Sequence, residues 1–260
     1  MYIDYDVADS IGTITLNRPE AANAQNPELL DELDAAWTKA AEDPEVKVIV
    51  LRANGKHFSA GHDLRGGGPG PDKITLEFII EHESRRYLEY TLRWRNVPKP
   101  SIAAVQGRCI SGGLLLCWPC DLILASEDAL FSDPVVLMGI GGVEYHGHTW
   151  ELGARKAKEI LFTGRAVTAE EAERTGMVNR VVPRDELDAQ TRELAAQIAA
   201  MPSFALRQAK RAVNQTLDVQ GFYAAIQSVF DVHQTGHGNA LSVGGWPVLV
   251  NLDDMKANIK

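Results

Sequence analysis

The chain has 260 residues, 45% hydrophobic and 23% charged, which suits one domain, or one domain with a helical appendage, around a substantial core. Its net charge of −9 argues against nonspecific nucleic-acid binding, which needs a basic surface, so a polyanionic ligand would have to find a local basic patch. No apolar run approaches the ~20 residues that span a bilayer, and the opening Met1-Tyr-Ile-Asp-Tyr-Asp6 carries acids where a signal peptide carries lysine or arginine, so the expected location is cytoplasmic.

In chain order, residues 11–16 alternate apolar and polar side chains, as a half-buried strand does. Pro27 opens a helix predicted over 27–41, with Leu29, Leu30, Leu33, Ala36 and Trp37 at helical spacing. The apolar run 46–52 reads as a strand and leads into Phe58-Ser-Ala-Gly-His-Asp-Leu64. The stretch Gly66-Gly-Gly-Pro-Gly-Pro71 is a loop, and not a phosphate loop, because no Lys-Ser/Thr follows its glycines. A long helix over 75–95 is expected to lid the site. The strand 101–105 leads into a second glycine-bearing loop, Gln106-Gly-Arg-Cys-Ile-Ser-Gly-Gly113, and 121–125 reads as a further strand. Thr168-Ala-Glu-Glu171 is a capping box. After Pro183 the pattern is helical, over 187–200, 203–217 and 222–233.

Three cysteines, Cys109, Cys117 and Cys120, sit close together in the sequence. Cys117-Trp-Pro-Cys120 has the C-x-x-C form of a redox motif, but it follows a Gly-Gly turn and a leucine run, and no second pair exists to build a four-cysteine zinc site. Buried small hydrophobes are the expected role.

The two glycine-bearing loops carry the chemistry. Glycine lets a chain turn tightly and lets a ligand approach its backbone, so two strand ends that turn through glycine can aim N–H groups at one point. Two converging N–H donors make an oxyanion hole, which stabilises charge building on a carbonyl oxygen.

These loops, with Leu16-Asn-Arg-Pro-Glu-Ala-Ala-Asn-Ala-Gln-Asn26 upstream, resemble the crotonase (enoyl-CoA hydratase/isomerase) superfamily. The first segment is similar to L-N-R-P-x-x-x-N-A-L-N, with Gln25 replacing leucine. The others are similar to F-x-A-G-x-D-[LI] and to V-x-G-x-x-x-G-G-G, with Ser111 in place of the first glycine of the triplet. The resemblance runs from about residue 10 to about residue 215 and includes Cys120-Asp-Leu-Ile-Leu-Ala125, Leu161-Phe-Thr-Gly164, Ala169-Glu-Glu-Ala172 and Gly176-Met-Val-Asn179. It implies an α/β fold with a ββα spiral core and acyl-CoA site over 1–200, and a C-terminal helical trimerisation region over 201–260. It further implies an acyl-CoA thioester substrate, no separate cofactor because coenzyme A belongs to the substrate, and a homotrimer or hexamer. The oxyanion donors map to the backbone N–H groups of His62 and Gly112. Ala24, Lys56, Ala60, Asp63, Leu64 and Pro134 map to the CoA-binding positions, with Lys56 as a point charge for a CoA phosphate.

The departures bear on the reaction. The glutamate of the hydratase pattern G-G-G-C-E falls on Leu115, and that of a Q-P-E-like motif falls on Val135 of Asp133-Pro-Val135. Neither side chain can move a proton. The segment Gly139-Ile-Gly-Gly-Val-Glu-Tyr-His-Gly-His148 supplies substitutes: Glu144 as a general base, Tyr145 or His146 as a proton donor or leaving-group anchor, and Asp133 as a further candidate. The imidazole of His62 is not required, since only its backbone need act. A metal bound by His146, His148 and a carboxylate has weak support, and no metal is expected. The leading expectation is an enoyl-CoA hydratase-like lyase. Alternatives are decarboxylation or another enolate reaction, the F-S-A-G-H-D run being shared with the methylmalonyl-CoA decarboxylase branch, or a non-catalytic acyl-CoA-binding protein.

Overall fold

The computed structural model describes residues 1–64 and 74–254. The glycine-proline stretch 66–71 and Met255 lie outside them. The strands are β1 (Ile3–Ala8), β2 (Ile11–Leu16), β3 (Val48–Ala53), β4 (Ser101–Val105), β5 (Arg108–Ile110), β6 (Leu122–Ser126), β7 (Leu130–Ser132), β8 (Val167–Thr168) and β9 (Arg180–Val182). The helices are α1 (Pro27–Glu42), α2 (Leu76–Glu83), α3 (Tyr90–Arg95), α4 (Gly112–Cys117), α5 (His148–Leu152), α6 (Ala154–Thr163), α7 (Ala169–Thr175), α8 (Leu187–Ala199), α9 (Ser203–Val219) and α10 (Phe222–Gly244). A π-helical turn, Ser84–Glu89, joins α2 to α3 without a break, so the helix expected over 75–95 exists with a bulge in its middle. Such bulges recur at functional sites because they turn a side chain out of the helical register.

Strands β1-β2-β3-β4-β6-β9 form one sheet in that order, antiparallel only at its β1 edge; β5-β7-β8 form a second, smaller sheet. Both faces of the main sheet are covered, which is why its strands read as apolar runs. Ile14, Leu16, Ile49 and Leu51 pack with Leu29, Leu33 and Trp37 of α1. The alternate residues Val48, Val50, Ile102 and Leu124 pack with Leu187, Ala195 and Ala199 of α8. Asn26 caps α1 by accepting from the Leu29 N–H, and Thr168 caps α7 by accepting from the Glu171 N–H.

One expectation changes at the helical end. α10 does not stop at 233 but continues to Gly244. Gly236 and Gly238 lower helix propensity, yet they stay in the helix because it passes close to another segment. A Cβ at Gly236 would sit 3.0 Å from Ile140 Cδ1 and 3.1 Å from the Gly139 carbonyl. α10 thereby folds back against α2 of its own chain. The three cysteines are buried and free, and burial pushes the thiols of Cys117 and Cys120 up, as expected of small core residues. No helix among the described residues is long and apolar enough to cross a membrane.

Candidate active site

The two glycine-bearing loops meet. Ser59 bridges to Cys109, its carbonyl accepting from the Ile110 N–H, and the Phe58 N–H donates to the Gln106 carbonyl. Gly61, at φ +86°, lies so close that a Cβ there would be 2.6 Å from the Ile110 carbonyl oxygen and 3.2 Å from the Gly112 nitrogen. Only glycine fits that approach. Ser111 takes φ +46° on the other side, a left-handed backbone rarely adopted outside glycine, at the position where the resembling motif has one. Its N–H donates to the Ser132 carbonyl, which fixes the turn that starts α4. Among the described residues, neither the His62 N–H nor the Gly112 N–H has a hydrogen-bond partner.

Gln25, which stands where the motif has leucine, ties the loops together. Its N–H donates to the Gly61 carbonyl, its own carbonyl accepts from the Asp63 N–H, and its Nε2 donates to the Gly112 carbonyl at 2.7 Å. The side chain is buried, and among the described residues its Oε1 has no partner.

The imidazole of His62 lies against Gly112, where a Cβ would meet its Cε1 at 2.6 Å, and stacks on the Tyr87 ring with centroids 3.9 Å apart. Tyr87 comes from the π-helical turn. His62 Nε2 sits 3.1 Å and 3.2 Å from the two carboxylate oxygens of Glu144, which is 2% exposed. Burial lowers the His62 pKa, but the Glu144 charge and hydrogen bond, with Glu83 behind them, outweigh it and leave the value raised. The backbone role assigned to His62 needs nothing from its imidazole, and the structure in addition pairs that side chain with Glu144.

The other candidates fall in different places. Asp133, 1% exposed, accepts from the Val143 N–H at 2.9 Å and lies 3.0 Å from His148 Nε2. These contacts brace the loop that presents Glu144. His148 is fully buried against Trp118, and half-buried His146 beside it is held down to about 4, chiefly by burial and then by His148. Tyr145 packs on Phe222 and lines a cavity of about 460 Å³ with Arg95, Trp118, Glu151 and Lys210; burial drives its phenol upward. Asp133 and Tyr145 thus hold structure together instead of joining His62 and Glu144. Leu115 is core, and Val135 is half-buried.

Of the CoA positions, Ala24 and Ala60 are half-buried, Lys56 and Leu64 are exposed, and Pro134 is buried. Asp63 forms a 2.6 Å ion pair with Arg18, whose guanidinium also donates to the Ala24 carbonyl. That pair fixes the backbone of two candidate positions together.

A second cluster escaped the sequence reading. Glu83 of α2 meets His233 and His237 of α10, with Gln234 donating to its carboxylate at 2.7 Å. His233 also lies 3.7 Å from Glu144. Burial, the largest single effect, lowers the His233 pKa, but Glu144 and Glu83 together outweigh it and lift the value to about 9, and the two histidines hold Glu83 well below the usual carboxylate range although burial raises it. The i, i+4 spacing of His233 and His237 was the available sequence signal.

The model of the enoyl-CoA hydratase/isomerase family matches residues 6–237. A Mycobacterium tuberculosis protein bearing the enoyl-CoA hydratase name is 44% identical over 98% of this chain and 88% of its own. A Mycobacterium smegmatis crystal structure, described as a probable enoyl-CoA hydratase, is 89% identical with a TM-score of 0.94, covering 96% of this chain and all of that one. An enoyl-CoA hydratase/isomerase structure from Xanthobacter autotrophicus is 33% identical with a TM-score of 0.86 over 94% of each chain.

Proposed function

The chain belongs to the enoyl-CoA hydratase/isomerase family, a family of acyl-CoA-acting enzymes, and from that premise we propose that it hydrates a 2-enoyl-CoA with Glu144 as its single base. The observation that carries this reading is the buried Glu144–His62 pair beside two main-chain N–H groups without partners. The thioester oxygen accepts hydrogen bonds from the His62 and Gly112 N–H groups. Glu144 takes a proton from water as the oxygen attacks the β-carbon, and the electron pair of the double bond moves onto the thioester as an enolate. The enolate collapses as the α-carbon takes the proton back from Glu144, so H and OH add across the double bond and the base is regenerated. Each N–H donor contributes about 3 kcal/mol of barrier lowering, roughly a hundredfold in rate.

His62 orients Glu144 through the contact of its Nε2 with both carboxylate oxygens. Asp133, through the Val143 N–H, holds the loop that presents it. The Ala24, Ala60, Asp63 and Leu64 backbones, with Pro134, line the path of coenzyme A, and exposed Lys56 meets a CoA phosphate. No separate cofactor enters this chemistry.

Residues 201–260 form a region through which we assign a trimer or a dimer of trimers. None of the 17 residues of α9 is fully buried, although Phe204 and Val213 are apolar and exposed. Trp246 and Leu249 beyond α10 are exposed as well. A face of that extent is covered by a second copy more readily than by water. The location is cytoplasmic.

Crotonyl-CoA hydration assayed beside a binding titration with its saturated analogue tests the function. Turnover with binding supports it; binding without turnover on any thioester supports a binding protein instead.

A further inference from the structure

The cluster of Glu83, His233 and His237 lies outside the proposed chemistry, and its geometry has a particular form. Three buried side chains converge from two helices: His233 Nε2 and His237 Nε2 are 3.1 Å apart, His233 Nε2 is 3.2 Å from Glu83 Oε2, and His237 Nε2 is 3.3 Å from Glu83 Oε1. Each histidine is oriented from behind. His233 Nδ1 is 2.6 Å from the Gly142 carbonyl and His237 Nδ1 is 2.7 Å from the Pro247 carbonyl. A carbonyl only accepts, so each Nδ1 carries the proton and donates, and in the neutral rings both Nε2 lone pairs face the centre.

The ligand atoms of all three buried side chains lie within 4.8 Å of one another, so a single cation at the centre can be held by all three residues at once. Tetrahedral zinc, with ligands at ~2.0–2.1 Å, separates neighbouring donor atoms by roughly 3.3 Å, close to the His233–His237 nitrogen separation and to the distance from each histidine to its nearer Glu83 oxygen. The carbonyls behind the histidines and the Gln234 amide, 2.7 Å from Glu83 Oε2, are the outer hydrogen bonds that orient metal ligands.

We propose that Glu83, His233 and His237 bind one divalent transition-metal ion of the zinc class. The two-nitrogen, one-carboxylate set selects such an ion over calcium or magnesium, which take oxygen ligands. The ion clamps α2 to α10 and, through the His237–Pro247 bond, the segment beyond α10. Its charge stands next to Glu144, which lies 3.7 Å from His233 Nε2. This inference does not rest on the hydratase reading, because metal binding is measured without substrate.

The test uses the full-length chain, stripped with a chelator and dialysed, then titrated with Zn²⁺ by calorimetry and with Co²⁺ by visible absorption. The expected results are one Zn²⁺ per chain and tetrahedral Co²⁺ bands that Zn²⁺ abolishes. His237→Ala and Glu83→Gln should each weaken Zn²⁺ binding by a hundredfold or more, with circular dichroism checking that both variants fold. Should either variant fail to fold, the wild-type Co²⁺ spectrum and stoichiometry decide. Absence of Zn²⁺ binding by the wild type, Co²⁺ bands of an octahedral complex only, or affinity unchanged in both folded variants would overturn the proposal.

Discussion

His62 and Glu144, 82 residues apart in sequence, meet with Nε2 3.1 Å from Oε1 at the point where the two glycine-bearing loops converge. The pair puts a buried carboxylate beside two main-chain N–H groups that have no partner among the described residues, and in the proposed reaction the His62 side chain is a positioning group. Replacing it with alanine keeps the main-chain donor and removes the imidazole. His62→Ala should lower kcat by about tenfold while KM holds, a split read from steady-state kinetics. The pH dependence has a sign. Because the folded pKa of His62 is raised above its ordinary 6.5, its contribution to stability is fully present below that value and lost as pH rises through the raised one. Urea midpoints of His62→Ala should lack that alkaline decline; an identical decline in wild type and variant would exclude the pair as its source.

Gln25 stands where the resembling motif has leucine and anchors the Gly112 carbonyl at 2.7 Å. Gln25→Leu removes that bond and also an unpartnered Oε1, so the stability terms oppose each other and the net change should stay within about 1 kcal/mol. The Gly112 peptide loses its tether, and kcat should fall by about tenfold. Denaturant unfolding beside kinetics checks both parts; a full kcat would show that Gln25 does not set the donor.

Glu151 lines the cavity beneath α9, and burial pushes its carboxyl up to about 7 from 4.5. A raised acid contributes stability that is full below pH 4.5 and lost as pH climbs through about 7. Glu151→Gln should therefore be more stable than wild type at pH 8, by about 1–2 kcal/mol once its half-buried position is allowed for, and nearly equal at pH 4.5. Chemical denaturation at the two pH values measures this, and equal stability at pH 8 would contradict it.

The exposed apolar residues of α9 and of the segment after α10 predict association. Light scattering at micromolar concentration should give the mass of three or six 28.5 kDa chains, and Phe204→Asp, at a residue 72% exposed, should lower it. A monomeric wild type would remove the assigned interface.

The loops were legible because glycine betrays them: Gly61 at φ +86° and Gly112 against the His62 ring are positions where a side chain does not fit. Glu144 was legible as an ionisable residue in a glycine-rich segment that follows two lost glutamates. Its partner was not, since a contact across 82 residues has no local pattern. Asp133 and Tyr145 stood beside Glu144 as further candidates in sequence, and packing sets them apart, one on His148 and the Val143 N–H, the other on Phe222. The Glu83–His233 contact spans 150 residues and depends on the register of two packed helices, one of them extended past two glycines. Sequence spacing placed the two histidines on one face, and nothing in it supplied the carboxylate opposite.

Glu144→Gln tests the central claim most directly, because it preserves the shape of the side chain and removes the base. Turnover of a short 2-enoyl-CoA should fall by ~10² or more while calorimetry finds acyl-CoA affinity unchanged. An unchanged kcat with intact binding would contradict the assignment of Glu144 as the base.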